Sequence, residues 1–315
     1  MFLVLAALFW AGNFVFGREL VQALPPLGIN LIRWCVACAV LVPLTLLYEG
    51  RGFLRPLWGN PRLCVSLILM ALSGVLVFNS LVYLALTATT SVNAALINGT
   101  TPILTMVLAV ALGGLLYNPP YEAPGAGADL VTGRRVFGAL VCLSGVAWIV
   151  SQGSLEVLAS LSLNRGDALM LVAALSWAFY TVLSGRVTRE ISPLAATTVS
   201  ALISIPLLVV LGGGELAAQT GWTEALTPVV VIGLLYMGTA ASVAAFLCWS
   251  TGIGRLGASR GSIFLNLIPV FTAAIAVPAL GEQLVVPQLA GGLLVIAGVV
   301  LVSRSGGAGP ARHKP

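Results

Sequence analysis

The segment from Ala258 to Glu282, ASRGSIFLNLIPVFTAAIAVPALGE, is long and apolar enough to cross a bilayer and is broken by Pro269. It has an echo in Ser91 to Leu115, SVNAALINGTTPILTMVLAVALGGL, where an offset of 167 places Pro102 on Pro269, Ser91 on Ala258 and Gly114 on Gly281. The same offset carries Trp10 onto Trp177 and Pro26-Leu27 onto Pro193-Leu194. One offset sustained over such separations marks an internal duplication, which restricts the chain to folds built from two like halves.

With 59% hydrophobic and 8% charged residues, the chain has too little polar surface to cover a water-soluble globule. Ten segments approach the roughly 20 apolar residues a spanning helix needs: about 2–17, 26–47, 63–86, 91–115, 136–152, 167–185, 194–212, 226–250, 258–280 and 287–303. The expected fold class is therefore an all-α polytopic membrane protein. The first segment lacks a basic leader and a cleavage site and carries Trp10 and Asn13, so it is expected to be a retained helix.

The basic residues are scattered singly, which argues against nucleic-acid binding and makes them topology signals. One set of loops and both termini hold twelve of them, from Arg51 to Lys314; the opposite side holds Arg18 and Arg165, and Arg33 lies inside the second segment. The excess of positive charge predicts both termini on the cytoplasmic side of a bacterial inner membrane. Five segments per half is an odd number, so the second copy enters from the opposite face and the repeats are inverted. The expected division is 1–152 and 167–304 as repeats, 153–166 as the connection and 305–315 as a disordered basic tail holding His313. The run NPPYEAPGAGADLV (118–131) reads as a flexible link.

The motifs LFWAGNFVFGR (Leu8 to Arg18), the spacing Pro26 to Arg33, YLALTATTSVNAALINGTTP (Tyr83 to Pro102) and GASRGSIFLNLIPVFTAAIAVPALGE (Gly257 to Glu282) together resemble the drug/metabolite transporter superfamily. Specifically, the chain resembles its ten-helix permeases with two EamA-type repeats. The resemblance implies two pseudo-symmetric halves around a substrate site. Such permeases usually end both Pro-broken segments with Gly-Glu; here Gly281-Glu282 fits, whereas Gly114 is followed by Leu115.

Polar side chains inside spanning segments are costly and tend to face a bundle interior or cavity. Trp10, Asn13 and Gly17 share one helical face, as do Trp177, Tyr180, Thr181 and Ser184, and the repeat offset superposes the two faces. Asn79, Tyr83, Asn98, Trp249 and Asn266 complete the expected substrate-binding set, with Asn93, Thr100, Thr101, Ser242, Phe246 and Ser262 nearby in sequence. Aromatic rings with amides suit an amphipathic solute; the plainer reading of each amide or hydroxyl is an interhelical hydrogen bond. Pro102 and Pro269 are expected mid-helix, as gating kinks or as static ones. Arg33 is read first as structural, bonding carbonyls and polar side chains of neighbouring helices, and alternatively as the partner of a substrate carboxylate. Gly138 with Gly145, and Gly291 with Gly298, are spaced for close helix packing within the monomer.

These features predict a permease, an exporter of small amphipathic metabolites such as amino acids that works by alternating access. Another organic solute (nucleoside, sugar, polyamine or drug) is the alternative. A membrane-embedded enzyme is disfavoured, because no segment carries paired carboxylates, a metal motif or a nucleophile with a histidine. No ring of like charges suggests a channel. The five Cys sit singly in apolar runs apart from Cys35-x-x-Cys38, so neither a disulfide framework, a metal site nor a cofactor is expected. The partners are the lipid bilayer and a small-molecule substrate, with the protein a monomer or homodimer. All ten acids lie in loops or at segment ends, which predicts facilitated diffusion or exchange unless Asp167 or Glu282 folds inward.

Overall fold

The computed structural model describes residues 1–116, 133–156, 164–256 and 258–303. The link 118–131, the tail 305–315 with its His313, and residues 157–163 of the connecting loop lie outside them. Among the described residues all regular structure is helical. The helices are α1 (Phe2–Leu20), α2 (Pro26–Glu49), α3 (Pro61–Leu86), α4 (Ser91–Asn98), α5 (Thr101–Leu116), α6 (Gly133–Val150), α7 (Arg165–Val187), α8 (Pro193–Ala218), α9 (Pro228–Leu256), α10 (Leu267–Leu280) and α11 (Val286–Ser303). Among the described residues seven stretches are long and apolar enough to cross a membrane, namely α1, α2, α3, Ser91–Leu112, α7, α8 and α9; shorter apolar helices run at Leu140–Ile149, Phe264–Leu280 and Val286–Gly298.

The helix starts follow from local chemistry. Proline in the first turn sacrifices an amide that has no intrahelical acceptor anyway, and a Ser, Thr or Asn before it caps another. Asn60 accepts from the Leu63 amide, Ser192 from Ala195 and Thr227 from Val230, each just ahead of Pro61, Pro193 or Pro228.

Two helices widen at their centres. In α3 the turns over Ala71–Val77 are π-helical, and in α9 so are those over Met237–Ala244. Adding 167 to the first range gives 238–244, so both halves carry the widening at the same place. A π turn withdraws carbonyls from the helical ladder and offers them sideways. Asn79 Nδ2 donates to the carbonyls of Gly74 and Val75, and Asn30 Nδ2 to those of Val75 and Leu76. In α9 the Ala241 carbonyl takes the Trp10 indole N–H at 3.0 Å.

Helices α2 and α8 pack antiparallel, each end capped by an acid of the other. Glu215, near the end of α8, accepts from the amides of Leu27 (2.6 Å) and Gly28 (3.1 Å) at the start of α2. Glu49, the last residue of α2, accepts from the Ser192 hydroxyl at the start of α8. Negative charge beside exposed N-terminal amides is favourable there. Helices α6 and α11 form the second antiparallel pair. A Cβ at Gly145 would stand 2.6 Å from the Gly291 carbonyl oxygen, and one at Gly298 would stand 2.5 Å from that of Gly138. No side chain fits there, so the four spaced glycines serve contact within one chain.

Pro102 and Pro269 are not mid-helix. Pro102 is the second residue of α5, after the chain breaks at Gly99-Thr100, and Pro269 is the third of α10, after a 3-10 turn over Ser262–Asn266. The physical reason is the missing amide: a proline costs little in a first turn, so the helix restarts around it. The Asn98 carbonyl that Pro102 cannot serve accepts from Thr101 Oγ1 at 2.7 Å.

Candidate functional site

The faces of α1 and α7 that share the repeat offset meet at the centre of the bundle. Trp10 and Trp177 stand edge to face with ring centroids 5.0 Å apart. Tyr180 stacks on Trp177 at 4.6 Å, Trp249 reaches Trp10 at 5.3 Å, and Phe246 lies edge-on to both indoles. The π-helical backbone of α3 closes one side: a Cβ at Gly74 would stand 2.2 Å from the Tyr180 ring. Edge-to-face and offset-stacked rings are the favoured geometries, and together they make a rigid apolar wall.

Opposite this wall is Arg33, 1% exposed. Its Nη1 donates to Asn13 Oδ1 (3.0 Å), to Asn79 Oδ1 (2.7 Å) and to the Tyr83 hydroxyl. Nε donates to Ser242 Oγ, and Nη2 makes one bond, at 3.3 Å, to the Ala241 carbonyl. The acceptors come from α1, α3 and α9, and all are neutral. Among the described residues no carboxylate pairs with Arg33, so its charge has no counterion. A buried charge is tolerated only when hydrogen-bonded, and here polar side chains and the π-turn carbonyl supply the bonds. The fork still has one Nη2 hydrogen to give, and the nearby Trp177 indole N–H, equally buried, meets no acceptor.

Between the two lies a cavity of about 10 Å3, room for about one water molecule, lined by Trp10, Asn13, Arg33, Asn79, Asn98 and Trp177 with Phe14, Phe78, Leu265 and Ile268. Six residues singled out in the sequence thus converge on it. Tyr83 stands behind it as a partner of Arg33, while Tyr180 and Trp249 support the indoles. Asn266 lies against the chain break instead, its Oδ1 3.4 Å from where a Gly99 Cβ would be. Sequence reasoning missed Phe78, whose ring is 4.7 Å from Trp177, and Phe14. Both are apolar residues adjacent to chosen asparagines, and nothing in an apolar helix distinguishes such a side chain before its neighbours are known. It also missed Asn30, which bonds Ser80 Oγ and the π-turn carbonyls.

Two acids at helix ends do turn inward. Asp167, 2% exposed, accepts from Thr89 Oγ1 at 2.7 Å and Asn93 Nδ2 at 2.6 Å. Glu282 accepts from the amide and hydroxyl of Ser91 and from the Val92 amide. Among the described residues no three His, Cys, Asp or Glu side chains are grouped to hold a metal.

Comparison with known proteins places this arrangement. The uncharacterized transporter YyaM of Bacillus subtilis is 31% identical over 94% of this chain and 90% of its own length. A Salmonella typhimurium protein described as a probable amino-acid metabolite efflux pump is 32% identical over 43% of this chain and 47% of its own. One solved crystal structure superposes over 97% of both chains with a TM-score of 0.63 at 18% identity, a likeness of fold. Residues 1–115 and 164–304 match the EamA-like transporter family, so the two stretches that carry the duplicated motifs, the paired tryptophans and Arg33 account for the match. With apolar helices of spanning length and this match over most of its residues, the chain is a multi-pass membrane protein that belongs to the EamA-like transporter family.

Proposed function

We propose that this transporter exports small amphipathic metabolites such as amino acids, by alternating access between two inverted five-helix repeats, 1–152 and 167–304. The connection 153–166 and a basic tail from 305 complete the chain. In this reading α4 and α5 count as one crossing, the 3-10 turn and α10 as another, and the ten crossings leave both termini in the cytoplasm of a bacterial inner membrane. The antiparallel pairs α2–α8 and α6–α11 and the matched π turns support it, since inverted copies place equivalent helices antiparallel. Single cysteines in a cysteine-free background test the topology: positions 49–61 and 186–192 should label from the cytoplasm, and Glu156 and Glu215 from outside. Labelling of both sets from one side overturns it.

The observation that carries the substrate reading is the pairing of an aromatic wall with a buried, uncompensated guanidinium across one small cavity. Aromatic faces accept an apolar side chain, while Arg33 and the Trp177 N–H offer a positive charge and unmet donors to a carboxylate. Trp10, Asn13, Asn79, Asn98 and Trp177 line this site, with Tyr83, Tyr180 and Trp249 holding its walls and Asn266 at its margin. A space for about one water is too small for any such solute, so this conformation is a contracted one and loading requires the halves to separate. The description of the Salmonella relative is consistent with the proposed class. A thermal-shift screen of purified protein against amino acids, nucleosides, sugars and polyamines, followed by proteoliposome efflux of each hit, tests it. Stabilisation and efflux confined to solutes without a carboxylate would overturn the amino-acid reading and leave the permease reading.

A further inference from the structure

We infer that Asp167 and Glu282 form a one-sided latch: they clamp α4 shut against the second half at one end of the bundle, and the position equivalent to Glu282 at the opposite gate is Leu115. The inference rests on the alternating-access reading above. In that reading the latched end is extracellular.

Three observations carry it. First, both acids belong to the second half and every donor they bind belongs to the first. Thr89 and Asn93 serve Asp167; Ser91 and Val92 serve Glu282, so four positions within five residues are held from across the repeat boundary. Gly281 takes a left-handed turn (φ 65°, ψ 20°) at the end of α10, and the next residue, Glu282, reaches the α4 amides. An acid at exposed N-terminal amides is favourably placed. Asp167 is buried with neutral donors alone; of the nearby cations, Arg18 is spent on the Leu86 carbonyl and Arg165 is exposed.

Second, the clamped helix is also a wall of the site. Asn98, at the far end of α4, lines the cavity, about 7.5 Å along the axis from Asn93. The chain breaks at Gly99-Thr100 directly after it, so α4 is a separate rigid piece that can swing without bending α5. Releasing its N-terminal end therefore displaces Asn98 and opens the cavity at that end.

Third, the duplication lets the two gates be compared residue by residue. Adding or subtracting 167 gives Leu115 for Glu282, Ala258 for Ser91, Leu256 for Thr89 and Arg260 for Asn93. The Glu282 carboxylate and the side-chain donors Ser91, Thr89 and Asn93 are all replaced. The α2–α8 pair, by contrast, keeps an acid cap at both ends, with Glu49 on Ser192 and Glu215 on Leu27. Acid capping is therefore retained symmetrically where the halves are scaffolded together, whereas the Glu282 cap on α4 has Leu115 as its counterpart. A gate that lacks the latch opens more readily, so the empty carrier favours access from the cytoplasm, the side from which an exporter loads.

The test needs no substrate. In full-length protein with Cys35, Cys38, Cys64, Cys142 and Cys248 replaced by serine, Phe78→Cys places one thiol at the cavity. A membrane-impermeant maleimide is applied to right-side-out and to inverted vesicles, with a cysteine at the exposed Glu224 as an outside reference. With native acids, labelling is expected chiefly from the cytoplasmic side. Combining Asp167→Asn with Glu282→Gln should raise the outside rate about tenfold, the effect of losing bonds to charged acceptors, and lower the inside rate. Should that variant not fold, Thr89→Val with Ser91→Ala removes donors from the other partner and should move the rates in the same direction. An unchanged outside rate in a folded variant, or an equal rise on both sides, overturns the latch. Labelling from one side only in every background would instead overturn alternating access itself, so the two failures are distinct.

Discussion

Replacing Arg33 by methionine separates its two roles, because the aliphatic stem is kept and the charge removed. The hydrogen-bond network sets the expected cost. Asn13 Oδ1 keeps the Tyr83 hydroxyl at 2.9 Å, the Ala241 carbonyl keeps the Trp10 indole at 3.0 Å, and Ser242 Oγ still donates to the Met237 carbonyl at 2.8 Å. Asn79 Nδ2 still serves the carbonyls of Gly74 and Val75, so only Asn79 Oδ1 is stranded. One stranded acceptor costs about 1–3 kcal/mol, partly offset because an apolar side chain needs no rescue from the desolvation a buried charge suffers. Arg33→Met should thus lose no more than about 3 kcal/mol of stability. A ligand carboxylate paired with the guanidinium would lose at least about 2 kcal/mol, roughly a thirtyfold weaker Kd. Denaturant unfolding in mixed micelles gives the first quantity; calorimetric titration with a carboxylate hit and with its amide gives the second. A variant that loses well over 3 kcal/mol while binding both ligands as tightly as before would refute the substrate role and leave Arg33 as a structural tie.

Trp10→Ala and Trp177→Ala should each weaken ligand binding more than folding; thermal stability lost with affinity unchanged would mark the aromatic wall as packing alone. Gly145→Leu drives a side chain into the Gly291 carbonyl and should cost at least the 1–3 kcal/mol typical of overpacking, read as a lowered unfolding midpoint with ligand affinity retained. Because Pro102 sits in a first turn with Thr101 serving the freed carbonyl, Pro102→Ala should leave both affinity and flux near native; proteoliposome flux slowed severalfold with affinity unchanged would identify Pro102 as a gating element, and Pro269→Ala puts the same question to Pro269. Asp167 and Glu282 turn inward but neither lines the cavity, so substrate flux with and without an imposed pH gradient, at clamped potential, should not differ; uphill accumulation abolished by Asp167→Asn or Glu282→Gln would identify a coupling acid.

Much was legible in the linear chain because lipid imposes its demands locally. A segment without water must satisfy its own backbone, so helices and their Pro-led, Ser-, Thr- or Asn-capped starts follow from nearest neighbours. The duplication paired Trp10 with Trp177, and the cost of an amide inside an apolar segment singled out the asparagines, so both could be chosen before any contact was known. The identity of their partners was not legible. Arg33 takes acceptors 20 to 209 residues away, and Asp167 its donors 74 and 78 residues away. Which helix lies beside which depends on packing between apolar surfaces that look alike in sequence. The π turns in α3 and α9 were settled at the same level, since their freed carbonyls are bonded by Asn30 and Trp10 from other helices, whereas the restart of the helices at Pro102 and Pro269 has the local cause of a missing amide.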